Sequence, residues 1–230
     1  MKLVGALLRA RHPANQADNQ AGACHMTIRF HRHDLPDLSN YDVDAVAIDT
    51  ETLGLNPHRD RLCVVQVSPG DGTADVIQIA KGQKKAPNLV SLLRNRKITK
   101  LFHFGRFDLA VLYQSFGVMP QPVFCTKIAS RLTRTYTDRH GLKDICAELL
   151  GVSLSKVQQS SDWAAETLSQ EQLEYAASDV LYLHELRDKL VERLEREGRS
   201  KEADACFRFL PTRAKLDLMG WDEEDIFAHS

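Results

Sequence analysis

Short apolar runs alternate along this chain with longer segments of helical spacing. Asp44–Asp49 contains the continuous run Val46-Ala47-Ile48, which predicts a strand buried on both faces. Arg61–Ser68 is rich in valine and Ala74–Ile79 has a similar pattern; with the first run they predict three strands in an antiparallel meander. Lys100–Phe104 predicts a fourth, buried strand. Helices are expected over Asn88–Asn95, Phe107–Phe116, Thr126–Leu132 and Leu142–Leu150, with Gly117 and Gly151 placed to end the second and fourth. Ser169 reads as the N-cap of a long helix, with Glu171 and Glu174 at its positive end, running to about Arg196. Alternating strands and helices predict an α/β domain.

The two ends read differently. Pro13–Ala23 is rich in Asn, Gln and Ala without periodicity, so residues 1–25 are expected to form a disordered extension, with Met26 an alternative start. A single domain is expected over 26–198, since no repeat or Gly/Ser linker divides it, and a helical tail over 199–230. In that tail Ala203–Leu210 has helical spacing, and Pro211 is expected to stop the helix or open another ending near Gly220. Trp221, Ile226 and Phe227 are large apolar residues in an acidic end; they predict docking on the chain's own domain or on a neighbouring subunit.

Composition narrows the class. The chain has 230 residues, 43% hydrophobic and 27% charged, an ordinary globular balance. No apolar run approaches the roughly 20 residues of a membrane span, so no membrane partner is expected. A net charge of −1 argues against a protein that coats long duplexes. The charge is uneven, however. Residues 81–107 hold eight Lys or Arg and no acid, whereas residues 214–230 hold five acids and one Lys. The basic stretch reads either as a solvated surface or as a phosphate-attracting rim. Arg131, Arg134, Arg139, His140 and Lys143 form a second basic cluster. The five cysteines include no CxxC pair; Cys63 and Cys146 lie in apolar contexts, and this usage fits a reducing, cytoplasmic compartment.

The chemistry concentrates in three segments: AIDTETLGL, FHFGRFDLAVL and EYAASDVLYL. Asp49 and Glu51 are two apart on a strand, so they point to one face. Thr50 between them faces the other way. Tyr175 and Asp179 are four apart on a helix and share a face. Asp108 stands at a strand-to-helix passage, where an isolated Asp is usually a helix-start acid. A carboxylate cluster repels itself unless something positive enters it, and oxygen-only ligand sets suit Mg²⁺ or Mn²⁺. Two such ions about 3.5–4 Å apart form a clamp for in-line attack on a phosphodiester.

Together these segments resemble the three motifs of the DEDD 3′→5′ exonuclease superfamily, in its tyrosine branch. LSQEQLEYAASDVLYLHELRDKL is similar to the third motif of ribonuclease D, and the likeness runs from about Val43 to Leu190. The resemblance implies an RNase H-like fold, a mixed sheet with flanking helices in which antiparallel strands are followed by parallel ones. It implies Asp49, Glu51, Asp108 and Asp179 as ligands of two divalent metal ions, with Tyr175 orienting the attacking water. DTETLGLNPHRDRLC is similar to the opening motif of oligoribonuclease, which implies that Leu55 wedges against the terminal bases. The short tail, unlike the further helical domains of ribonuclease D, resembles the stand-alone nano-RNase C group. That likeness implies a homo-octamer acting on very short RNA, down to dinucleotides. Thr52, Leu53, His103, Phe104, Gln159 and Ser160 are the further candidates for substrate contact. Trp163 reads as core or as a stacking platform, and His103 as a substrate contact or a core histidine. A broader exonuclease on longer RNA or on DNA shares the same catalytic residues. A dead scaffold is the non-enzymatic alternative, and the presence of all four acids and the tyrosine speaks against it.

Overall fold

A computed structural model describes residues 27–155 and 157–229; residues 1–25, expected to be disordered, lie outside the described residues. Six strands form one mixed sheet: β1 (Thr27–Arg32), β2 (Ala45–Thr52), β3 (Leu62–Ser68), β4 (Thr73–Gln78), β5 (Thr99–Phe102) and β6 (Val123–Cys125), in the order β1-β4-β3-β2-β5-β6. The predicted meander is present, with β3 antiparallel to both β2 and β4. β5 and β6 extend the sheet in parallel on one side, and β1 pairs parallel to β4 on the other. Every residue of β3 is buried, as its valine-rich sequence requires of a central strand.

Among the described residues seven α-helices surround the sheet: α1 (Pro87–Arg94), α2 (Arg106–Phe116), α3 (Thr126–Thr133), α4 (Leu142–Leu150), α5 (Gln170–Leu181), α6 (Leu183–Arg196) and α7 (Ser200–Leu216). Gly117 and Gly151 close α2 and α4 in the left-handed conformation, as expected. Ser169 caps α5 in a reciprocal arrangement with Gln172. The single long helix expected from Ser169 to Arg196 is instead two, broken at Tyr182. The break accompanies a change of partners, since α5 packs on β2, β3 and β4 while α6 packs on α3 and α4. Pro211 neither stops nor opens a helix; it lies inside α7, buried. A proline inside a helix forfeits a hydrogen bond at a cost of about 3 kcal/mol, so packing of α7 on α2 and β6 outweighs propensity here. The chain then makes a π turn, Asp217–Trp221, and Asp217 pairs with Arg106 of α2. The start of the tail therefore docks on the chain's own domain, while Met219, Trp221, Ile226 and Phe227 stay exposed. No helix among the described residues is long and apolar enough to cross a membrane.

The outermost strand β1 is anchored by one buried carboxylate. Asp75 accepts from Arg29 Nε and Nη2 at 2.7 Å each, from Tyr41 Oη at 2.5 Å, and is 2.7 Å from His31 Nε2. Burial raises its pKa, but the bonds from Arg29, Tyr41 and His31 outweigh that and hold it below the usual range. Asp75→Ala is expected to destabilise the fold by about 2–4 kcal/mol, because three donors lose one acceptor. A urea midpoint that drops with an unchanged slope would show it; a loss below about 1 kcal/mol would mean that strand pairing alone anchors β1.

Candidate active site

The β2–β3 register lays out one face of the sheet. Asp49 lies opposite Gln66 and Glu51 opposite Val64, and cross-strand partners share a face. α5 covers that face with the small residues Ala176 and Ala177 buried against it. This close approach brings Asp179, and Tyr175 one turn earlier, over the end of β2. The register shifts between Glu51 and Thr52, a bulge that re-aims the strand end. As a result Asp49, Glu51 and Asp179 each offer a carboxylate oxygen, and these oxygens lie within 4.8 Å of one another.

Asp108 comes from the other side. Pairing of β2 with β5 stops at Ala47 and Leu101, which leaves the rest of that edge to the start of α2. Thr50 does face away from its neighbours, and that is how its hydroxyl meets α2: Thr50 Oγ1 donates to Asp108 Oδ1 at 2.7 Å. Both side chains are buried. Asp108 is outside the close trio, with one oxygen already engaged.

Burial and mutual repulsion set the charge state. Burial, then the charges of Asp108, Asp179 and Glu51, raise the Asp49 carboxyl well above its ordinary range. Glu51 is pushed up to about 9 by burial and then by Asp179 and Asp108. Burial pushes Asp108 and Asp179 to about 7. Among the described residues no lysine or arginine pairs with any of the four. A largely desolvated oxygen set this crowded, without a protein cation, fits divalent metal.

Tyr175 packs its ring against Trp163, centroids 5.9 Å apart. Burial raises its pKa, with help from the charges of Asp179, Glu51 and Asp49, so the phenol stays neutral and able to donate. Trp163 is 2% exposed and belongs to a small core with Cys63, Val64, Val76, Leu168 and Ala176. It is core, not a stacking platform.

Of the candidate substrate residues, Leu53, Leu55, Phe104, Gln159 and Ser160 are exposed, and Thr52 and His103 are half-buried. Leu53 and Leu55 are 53% and 85% exposed on the loop after β2. That loop is tightly closed: Leu53 N donates to Arg61 O, Thr52 Oγ1 to Gly54 O, and Asn56 N to Asp60 Oδ2. A Cβ on Gly54 would lie 2.3 Å from Asp60 Oδ2, so the loop requires glycine there. Phe104 is exposed, with Lys127 Nζ 4.3 Å from its ring centroid. His103 meets Thr126 Oγ1 at 2.9 Å, and burial followed by the charge of Lys127 lowers its pKa to about 3, so it is a neutral histidine. Gln159 and Ser160 are exposed on a turn before α5.

The basic stretch does not form a rim. Lys100 is wholly buried, donating to Ile98 O and Gln121 O, and Arg106 pairs with Asp217. Only Lys81 and Lys84 of that stretch line the cleft of about 680 Å³ beside Leu53. The second basic cluster is likewise divided, because Arg134 is buried against Glu148 and Arg139 pairs with Asp144. Sequence reasoning missed two residues at the site, Thr50 and Gln66. For Gln66 the available signal is a lone amide in the apolar strand LCVVQVS.

Comparison with known proteins agrees with this geometry. A family model described as 3′-5′ exonuclease matches residues 35–195. Ribonuclease D of Gluconacetobacter diazotrophicus is 38% identical over 154 residues, 67% of this chain and 39% of that protein. The chain thus spans about two fifths of the length of that relative. Brucella melitensis NrnC, solved with bound Mg²⁺ and also bound to pGG, is 80% identical, with a TM-score of 0.87 over 89% of this chain and all of that one. Escherichia coli RNase D is 31% identical, with a TM-score of 0.68 over 75% of this chain and 45% of that one. The sheet order, the placement of the acidic segments and these likenesses converge: the chain belongs to the 3′-5′ exonuclease family.

Proposed function

We propose that this protein hydrolyses very short RNA from its 3′ end, down to the dinucleotide, to 5′-mononucleotides. The observation that carries the reading is the convergence of the Asp49, Glu51 and Asp179 oxygens within 4.8 Å, beside a neutral tyrosine. The likeness to NrnC bound to pGG supports the substrate class.

Asp49, Glu51 and Asp179 would hold a divalent cation, Mg²⁺ or Mn²⁺, and Asp49 with Asp108 a second. Bound there, such ions supply an acidified water and neutralise charge on the phosphate. Thr50 fixes one oxygen of Asp108 and so limits how that residue reaches the site. Tyr175 orients water by hydrogen bond, its ring held by Trp163. Water oxygen attacks phosphorus, the bond to the preceding 3′ oxygen breaks, and that oxygen leaves as a hydroxyl. Leu55 and Leu53 press on the terminal base. Thr52 spends its hydroxyl proton on Gly54 O and is left as an acceptor for a ribose hydroxyl. Phe104, backed by Lys127, offers a stacking face to the other base. Gln159 and Ser160 line the rim. Arg131, His140 and Lys143 are what remains of the second basic cluster to meet a 5′ phosphate. The exposed apolar side chains after α7 are the proposed contacts of a homo-oligomer, an octamer on the nano-RNase C resemblance. The buried, unpaired cysteines suit a cytoplasmic location.

Two outcomes follow. With Mg²⁺ or Mn²⁺ and labelled RNAs from two nucleotides upward, turnover is expected to peak at the dinucleotide. Asp49→Ala should lower kcat by at least about 10³-fold, and Tyr175→Phe by about 10–100-fold. Equal rates on long RNA or on DNA would favour the broader exonuclease, and loss of all metal-dependent cleavage would remove the enzymatic reading.

The second concerns stability without metal. Glu51, Asp108 and Asp179 have folded pKa values above those of an unfolded chain, so their contribution is greatest at low pH and is lost as pH rises from the ordinary carboxylate range, fully by about 7 for Asp108 and Asp179 and by about 9 for Glu51. In EDTA the wild type should therefore lose stability from about pH 4.5 to 7, by up to about 1.4 kcal/mol per pH unit for each such group, with Glu51 alone of the three continuing the loss toward pH 9. Asp179→Asn should flatten the loss, as should saturating Mg²⁺. Parallel pH profiles of melting for the wild type and the variant would contradict it.

A further inference from the structure

Gln66 occupies the centre of β3 and is wholly buried. Apart from Ser68 at the strand's end, its companions in β3 are Leu, Cys and Val. An amide in such a position costs free energy unless both its ends are hydrogen-bonded. Only one end is. Gln66 Nε2 donates to Asp49 Oδ2 at 3.4 Å, toward the long end of hydrogen bonding, while Gln66 Oε1 is buried with no partner among the described residues. The strand register holds the two residues directly opposite each other, on the face that α5 covers.

A residue kept only to fill the core would be leucine or methionine, with no orphaned oxygen. The amide differs from them in one useful respect: it donates to Asp49 without changing the charge of the cluster. A lysine here would neutralise a carboxylate and compete with a metal ion, and a glutamate would add a fifth anion. We propose that Gln66 is a positioning residue for Asp49, holding one carboxylate oxygen so that the other is presented to the divalent cation. The inference rests on the reading of Asp49 as a metal ligand.

The test uses Gln66→Met, which keeps the length and loses the donor, with Gln66→Leu as a second variant. Mn²⁺ affinity is measured by calorimetry on the full chain, and melting in EDTA is measured alongside. The expected result is a melting temperature at or above that of the wild type, together with Mn²⁺ binding weakened about 10–100-fold. A purely structural residue would give the opposite pair, a lower melting temperature and unchanged affinity. Mn²⁺ affinity within twofold of the wild type in either folded variant overturns the role of Gln66 alone. Absence of Mn²⁺ binding by the wild type overturns the metal reading, and the role of Gln66 with it.

Discussion

Four carboxyl groups, one buried and three half-buried, crowd the end of one strand, and their repulsion constrains the rest of the molecule. Asp49 and Glu51 arrive on alternate positions of β2, Asp179 on a helix laid across them, and Asp108 at the start of α2. Desolvation and neighbouring charge both work against ionisation there. Such a cluster persists only if the scaffold is rigid and a proton or a cation enters. Rigidity comes from the wholly buried β3 alongside, from the capping box that fixes the start of α5, and from the Trp163 core beneath Tyr175.

The lip beside this cluster has the opposite character. Leu53, Leu55 and Phe104 are exposed apolar side chains held on closed or capped backbone, an expensive arrangement for a surface with nothing to bind. Arg59, Arg61, Lys81 and Lys84 line the cleft beside Leu53, and Lys127 lies over Phe104. Of the lysines dense in the sequence, Lys100 is carried inward by β5. Lys100 is held by main-chain carbonyls and lowered to about 8 by burial, so it fastens the fold and adds nothing to an anion-binding surface.

What the sequence discloses about this molecule depends on distance along the chain. Strands β2 to β5 were legible because each is an apolar run bounded by turns. β1 is a half-exposed edge strand and β6 has three residues, so neither carries enough pattern. Leu183 and Leu186 continue the spacing of Val180 across Tyr182, which conceals the break between α5 and α6. The pairs Asp49–Glu51 and Tyr175–Asp179 were legible because each lies within one element. Asp108 joined them only through the family resemblance. The Thr50–Asp108 bond and the Asp49–Gln66 pairing depend on how distant elements are placed, which no local spacing encodes.

The most direct test of the central claim is anomalous diffraction from crystals of the protein soaked in Mn²⁺. The account predicts a strong peak among Asp49, Glu51 and Asp179, and a second between Asp49 and Asp108. A carboxylate cluster without any anomalous peak, in crystals of protein that is active with Mn²⁺, would contradict it.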